Sequence, residues 1–337
     1  MIGRIDFSRL WPGFEPLRFA LYNETECCFD GEYVEKTDAF CANTSIEYRG
    51  EQTAIWNVME DMEQEVFASK IVHEMFHGFQ NKSGWNCFPN ETEALMRYRN
   101  DCRALGIKLR ENELLLELLA GHDEDKLSEL AACRRERLSL FPYETEYEAK
   151  TEQTEGTANY VEWKVLEQLA PERARELEEQ MRKKLSDPEF LLPARISCYY
   201  TGALLVNALK NAGEYAFEPG GRPAGIAFCE AHRDCGAFDT GCMKTPSARE
   251  ALAKYEAETD AMIGAALEKG NKVLSGPLTL VCPNVYNARR SGGYITSTYF
   301  LMYSENGENR IAYGDFVVKM LDENTIEAVY EMANGAG

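Results

Sequence analysis

Val72, Phe76 and Phe79 recur at helical spacing through a segment whose other face carries His73, Glu74 and His77. That stretch constrains the chain more than any other. Its apolar stripe demands a core to pack on. Its polar stripe sets two imidazoles on one side of a helix, with β-carbons roughly 5 to 6 Å apart, so that both can reach one ion. Glu74, about a quarter turn away, can face a water bound to that ion and take its proton. With 4 histidines in 337 residues, chance placement of this pattern has odds on the order of one in a hundred or less. The pentapeptide His73-Glu74-Met75-Phe76-His77 therefore predicts a metal clip with a general base. Its helix is expected to start past an N-cap at Asp61 and run to about Gln80, where Asn81-Lys82-Ser83-Gly84 supplies a stop.

A hydrolytic zinc site takes three protein ligands and keeps a fourth position for water. No histidine follows at short range, so the third ligand is expected to be a carboxylate on another helix. Glu152, Glu155 and Glu162 all qualify by residue type. They fall in a long helix that is expected to follow Pro142 and stop before Pro171. Leu-, Glu- and Arg-rich helices are expected from Glu91 to Leu140, broken at Gly121-His122-Asp123, where His122 is a turn residue. Further helices are expected over Glu172 to Lys184, highly charged and solvated, over Ser197 to Lys210, and over Ala248 to Glu268, with loop from Gly213 to Gly225.

The chain's two ends read as strands. Arg18 to Tyr22, Thr44 to Tyr48 and Thr53 to Val58 alternate in strand fashion, the last two joined by a turn at Arg49-Gly50. After Gly270 come Leu278 to Val281, Tyr294 to Tyr303, Arg310 to Met320 and Thr325 to Tyr330, with hairpin turns at Ser291-Gly292-Gly293 and Asn306-Gly307. The fold class is therefore α+β: an N-terminal mixed sheet, a mostly helical second half and a small C-terminal antiparallel β-unit. We divide residues 1–270 into N-terminal strands (1–60), active-site helices (61–210) and a helical remainder (211–270), and set the β-unit at 271–337.

Charge and cysteines narrow the function. A formal charge of -20 repels phosphate backbones and anionic membranes, so neither nucleic acid nor a membrane is expected as a partner. The first residues lack an apolar run of signal-peptide length, and none later approaches a membrane span. A cytoplasmic protein is expected, with its 11 cysteines reduced rather than paired. Cys229, His232, Cys235 and Cys242 have the right atoms for a second, structural zinc. Their spacing matches no well-defined zinc module, and scattered core thiols are the simpler expectation.

The segment Glu155-Gly156-Thr157-Ala158-Asn159-Tyr160-Val161-Glu162 resembles one found in gluzincin metallopeptidases of the aminopeptidase N type. There an Asn-Glu-Gly-Phe-Ala segment carries the third zinc ligand and a further Glu follows. The resemblance implies a zincin-like catalytic domain with one catalytic Zn2+ held by His73, His77 and Glu155, and Glu152 as the alternative ligand. Gly156 and Ala158 are expected to let this helix approach the His73 helix closely. Tyr199-Tyr200-Thr201-Gly202 is similar to the family's Tyr-x-x-Gly turn, which implies that Tyr199 donates to the developing oxyanion, or Tyr200 if the register differs by one. Thr53 to Val58 is implied as the strand that pairs with an extended substrate.

Two departures refine the expectation. The stretch between His77 and Glu155 is much longer than the family's usual short loop and holds extra helices. The Gly-x-Met-Glu-Asn segment that grips a substrate's free amine is absent. The implied activity is that of an endopeptidase or oligopeptidase on a peptide or protein substrate, rather than an aminopeptidase. Hydrolysis of another amide or ester, or a non-catalytic zinc-containing binding protein, are the alternative readings.

Overall fold

A computed structural model describes residues 1–58, 62–214 and 220–332. Five strands lie near its start: β1 (Arg18–Tyr22), β2 (Cys27–Phe29), β3 (Glu32–Val34), β4 (Thr44–Tyr48) and β5 (Glu51–Asn57). They form one mixed sheet in the order β3-β2-β1-β5-β4, with β1 and β5 parallel and the remaining pairs antiparallel. The hairpin expected at Arg49-Gly50 is present, both residues having positive φ (54° and 81°). A second hairpin, β2–β3, turns at Asp30 and Gly31 (φ 50° and 88°). Asp-Gly is a hairpin signal, but strands of three residues are too short to show a period, and the sequence reading passed over them.

β5 is enclosed by β1 on one edge and β4 on the other. Thr53, Ala54 and Ile55 are all buried because both faces are covered as well. Ala54 belongs to the main core, while Ile55 packs in a separate cluster with Tyr22, Phe29 and Phe40. The expectation that Thr53 to Val58 pairs with a substrate is therefore corrected: its backbone groups from Thr53 to Ile55 already bond on both sides. The edge strand on this side is β4.

The helical part begins with α1 (Gln64–Lys82), which ends ahead of Gly84 (φ 74°) as expected. The N-cap read at Asp61 lies outside the described residues. Phe76 is fully buried among Trp11, Phe14, Phe79 and Trp85, its ring centroids 5.1 to 6.2 Å from theirs. At Gly78 an added β-carbon would fall 2.6 Å from Leu17 and 2.7 Å from the Ser45 hydroxyl. The residue after His77 is thus the point where α1 lies tight against β4.

Next come α2 (Glu91–Arg97), α3 (Cys102–Glu117) and α4 (Glu124–Leu140), with the break at Gly121 (φ 137°) and Asp123 capping α4. The helix expected after Pro142 is a continuous rod in three parts: α5 (Pro142–Thr151), a π turn over Glu152–Gly156, and α6 (Thr157–Leu169). α7 (Pro171–Leu185) is less solvated than its charge suggests, since Ala174, Met181 and Leu185 are buried. α8 (Ala194–Asn211) is followed by α9 (Ala224–Ala231), which begins at the end of the loop expected over Gly213 to Gly225 and for which no helix was expected, and α10 (Thr245–Lys269).

The last seven strands are β6 (Lys272–Pro283), β7 (Arg290–Ser291), β8 (Tyr294–Ser297), β9 (Phe300–Glu305), β10 (Glu308–Tyr313), β11 (Phe316–Met320) and β12 (Thr325–Glu331). They form an antiparallel sheet in the order β10-β9-β6-β12-β11-β8-β7. Two strands expected to be long are each split by a left-handed residue, at Tyr299 (φ 64°) and Gly314 (φ 136°). This unit has its own core, around Leu280, Ile295, Leu301 and Val318, to which α2 contributes Met96. Among the described residues, no helix is long and apolar enough to cross a membrane.

Candidate metal centre

His73 and His77, one turn apart on α1, turn their Nε2 atoms to within 3.2 Å of each other. Glu155 Oε2 reaches in from the π turn, 3.3 Å from His77 Nε2 and 3.9 Å from His73 Nε2. A tetrahedral ion with bonds of about 2.0 to 2.1 Å places neighbouring ligand atoms roughly 3.3 Å apart. Two of the three separations match that spacing, and the third, His73 Nε2 to Glu155 Oε2, is longer at 3.9 Å. Among the described residues, this is the group of histidine, cysteine and acidic side chains that could hold a metal ion.

The imidazole tautomers follow from the groups behind them. Gln80 is fully buried and its Nε2 donates to Thr154 O and Thr157 Oγ1, both at 2.9 Å. Its Oε1 therefore faces His77 Nδ1 at 2.8 Å, as an acceptor. His77 must carry a proton on Nδ1, which leaves Nε2 for the ion. Behind His73 stands Glu162, with Oε2 3.2 Å from Nδ1 at a bent approach and Oε1 2.7 Å from Lys70 Nζ. Glu162, qualified by type as a ligand, instead backs one.

Glu155 is fixed from the other side. Arg195 Nη2 donates to Glu155 Oε1 at 2.8 Å, and Arg195 also pairs with Glu91. Burial opposes ionisation of Glu155, but His77, Arg195 and His73 outweigh it and hold its pKa below the usual carboxylate range. Burial likewise disfavours charge on His77, yet Glu155 and Glu74 raise its pKa to about 9. Glu74 is 8 % exposed, and burial chiefly, with Glu155 and Glu162 adding to it, pushes its pKa up against the opposing histidines.

Glu152, the alternative ligand, lies elsewhere. Its carboxylate receives both terminal nitrogens of Arg134, at 2.7 and 2.9 Å, and the Thr201 hydroxyl at 2.7 Å. One residue added to the helical turn explains the separation. The π turn rotates Glu155 relative to Glu152, and such turns recur at functional sites. Gly156 does bring two helices together, as expected of it, but the partner is Gly202 of α8 rather than α1. An added β-carbon on Gly156 would fall 2.4 Å from Gly202 Cα.

The Tyr199 hydroxyl accepts from Arg195 Nη2 at 3.0 Å, so one guanidinium joins it to Glu155. Tyr200 points to Lys184, whose Nζ is 2.8 Å from its hydroxyl, and to the ring of Phe190. The four residues around Cys229 do not converge on a common point. His232 places Nδ1 3.0 Å from Phe228 O and Nε2 3.1 Å from Glu214, Cys229 Sγ donates to Ile226 O, and Cys242 Sγ faces Asp239.

Sequence reasoning missed Gln80, Arg195 and Glu91. Two of them carried a signal: Gln80 follows His77 by three positions and Arg195 precedes Tyr199 by four, both on one helix face. Glu91 had none. No known protein family, curated protein or solved structure matches the chain.

Proposed function

We propose that this protein is a zinc-dependent hydrolase of peptide bonds, with a zincin-like catalytic part of gluzincin type. The observation that carries the reading is the spacing of His73 Nε2, His77 Nε2 and Glu155 Oε2, which suits three ligands of a tetrahedral ion. Two nitrogens and one carboxylate, with further residues orienting each ligand, match the donor set of catalytic rather than closed structural zinc sites. Bound zinc would supply Lewis acidity and lower the pKa of water towards about 7.

The remaining chemistry belongs to the chain. Glu74, between the two histidines in sequence and unpaired among the described residues, takes the proton of the attacking water and returns it to the leaving amine. Tyr199 takes the oxyanion-donor role, because Arg195 occupies its oxygen as a donor and forces its own O–H to point elsewhere. Eleven unpaired cysteines suit a reducing, cytoplasmic setting. β4, the sheet edge against α1 at Gly78, replaces β5 as the strand for an extended substrate.

The test measures zinc content and cleavage of a peptide library by the wild type and by Glu74→Gln. Both are expected to bind zinc, with cleavage falling by about 10²- to 10⁴-fold in the variant. Zinc retention with no cleavage by either protein overturns the reading. Turnover of small amides or esters without peptide cleavage redirects it to another substrate class.

A further inference from the structure

The C-terminal β-unit reaches the metal centre through one residue. Tyr286, in the segment between β6 and β7, sets its hydroxyl 3.2 Å from that of Tyr199. Its ring centroid lies 5.4 Å from the Arg195 guanidinium, which Tyr199 flanks at 5.5 Å. The two rings lie beside each other, centroids 6.4 Å apart, and Arg195 approaches both from one side. Since Arg195 can only donate, the Tyr199 oxygen accepts from it and the one Tyr199 proton is directed to Tyr286. Tyr286 is 48 % exposed, so what stands beside Tyr199 at this point faces solvent.

The segment that presents Tyr286 is braced. Asn284 N donates to Ser297 Oγ at 2.9 Å, and Arg289 N to Thr296 Oγ1 at 2.9 Å. Arg289 pairs with Glu258 of α10, and Arg290 donates to Met96 O of α2. A cavity of about 360 Å³ lies behind it, bounded by Val285, Ala288 and Arg289 on one side and by Glu91, Tyr147 and Arg195 on the other. The same guanidinium therefore lines this cavity and holds Glu155.

We infer that the β-unit completes the substrate site: Tyr286 is a fixed wall beside Tyr199, and the cavity behind it receives a polar side chain of an extended peptide. This rests on the hydrolase reading above. Lining by Arg99, Arg195 and Arg289 against Glu91, Glu256 and Asp260 suits a polar side chain better than an aliphatic one. Tyr286 acts as a specificity residue, since its hydroxyl takes the Tyr199 hydrogen bond until a substrate oxygen replaces it.

The experiment uses the zinc-loaded full chain and two probes, acetohydroxamate, which engages the metal alone, and a peptide hydroxamate that extends along the site. Tyr286→Ala is expected to keep zinc and acetohydroxamate affinity within about twofold while changing peptide hydroxamate affinity at least about tenfold. Tyr286→Phe, which keeps the ring, is expected to show a smaller change. Equal peptide hydroxamate affinity in the wild type and Tyr286→Ala overturns this inference and leaves the hydrolase reading intact. Failure of the wild type to bind either hydroxamate overturns both.

Discussion

Arg195 Nη2 donates to Glu155 Oε1 at 2.8 Å, so the carboxylate whose other oxygen faces the two histidines is anchored from behind. The same nitrogen reaches the Tyr199 hydroxyl. One guanidinium therefore ties the third ligand to the group assigned to the oxyanion, which is why changes at separate positions are expected to give separable effects.

Replacing His73, His77 or Glu155 by Ala is expected to abolish stoichiometric zinc binding, read by metal analysis after dialysis. Glu152→Ala is expected to keep the metal but lose roughly 3 to 5 kcal/mol of stability, because buried Arg134 loses its bidentate partner and is left with Glu111, 3.7 Å away. Zinc loss in Glu152→Ala with a normal melting curve would reverse the assignment.

Gln80→Leu removes the acceptor that sets the His77 tautomer while preserving bulk. Loss of such an orienting partner typically costs 10- to 100-fold in metal affinity. Competition titration with a chelator reads the change, and unaltered affinity would show that His77 is oriented by other contacts.

Tyr199→Phe is expected to lower kcat about 10²-fold with little change in KM, as for the loss of one oxyanion donor. Tyr200→Phe is expected to leave kcat near the wild-type value, since its hydroxyl is engaged by Lys184. A larger kcat loss in Tyr200→Phe than in Tyr199→Phe would shift the role by one residue.

Gly202→Ala is expected to destabilise the chain by about 1 to 3 kcal/mol and to weaken metal binding with it. Its β-carbon would stand 2.6 Å from Glu152 O and 2.7 Å from Gly156 Cα, both backbone atoms of the turn that presents Glu155. Thermal denaturation with and without zinc measures both effects.

Acid stability should depend on a buried ion network beside the site. Glu148 pairs with Lys108 and Arg137; burial raises its pKa, but those two cations outweigh the effect and lower it from 4.5 to about 2. A folded-state pKa below the unfolded value means that this stabilisation is full above pH 4.5 and is lost as pH falls to about 2. Its size is on the order of 3 kcal/mol. Denaturant titrations at pH 6, 4 and 3 should show Glu148→Gln less stable at pH 6 and with a shallower fall towards pH 3. An unchanged slope would place the acid-labile group elsewhere.

Local chemistry made much of this legible. The α1 face periodicity, the stop at Gly84, the break at Gly121 and the Arg49-Gly50 and Asn306-Gly307 hairpins each depend on neighbours a few residues apart. The π turn was not legible, because an extra residue in a helical turn leaves the apolar pattern almost unchanged. Neither was the burial of both edges of β5, since strand order is set by pairings distant in sequence.

For the site, the sequence by itself determined that His73 and His77 share a helix face with Glu74 beside them, because 3.6-residue periodicity acts locally. It also placed an acidic segment downstream in which residue type left Glu152, Glu155 and Glu162 open and the gluzincin resemblance favoured Glu155, with Glu152 as the alternative. The tertiary structure supplied the physical reason: Arg134 and Thr201 hold Glu152, while the π turn and Arg195 aim Glu155 at the histidines. It likewise brought Tyr286 beside Tyr199 across the chain. Such partners are selected by charge compensation and close packing in three dimensions, and neither leaves a period in the sequence.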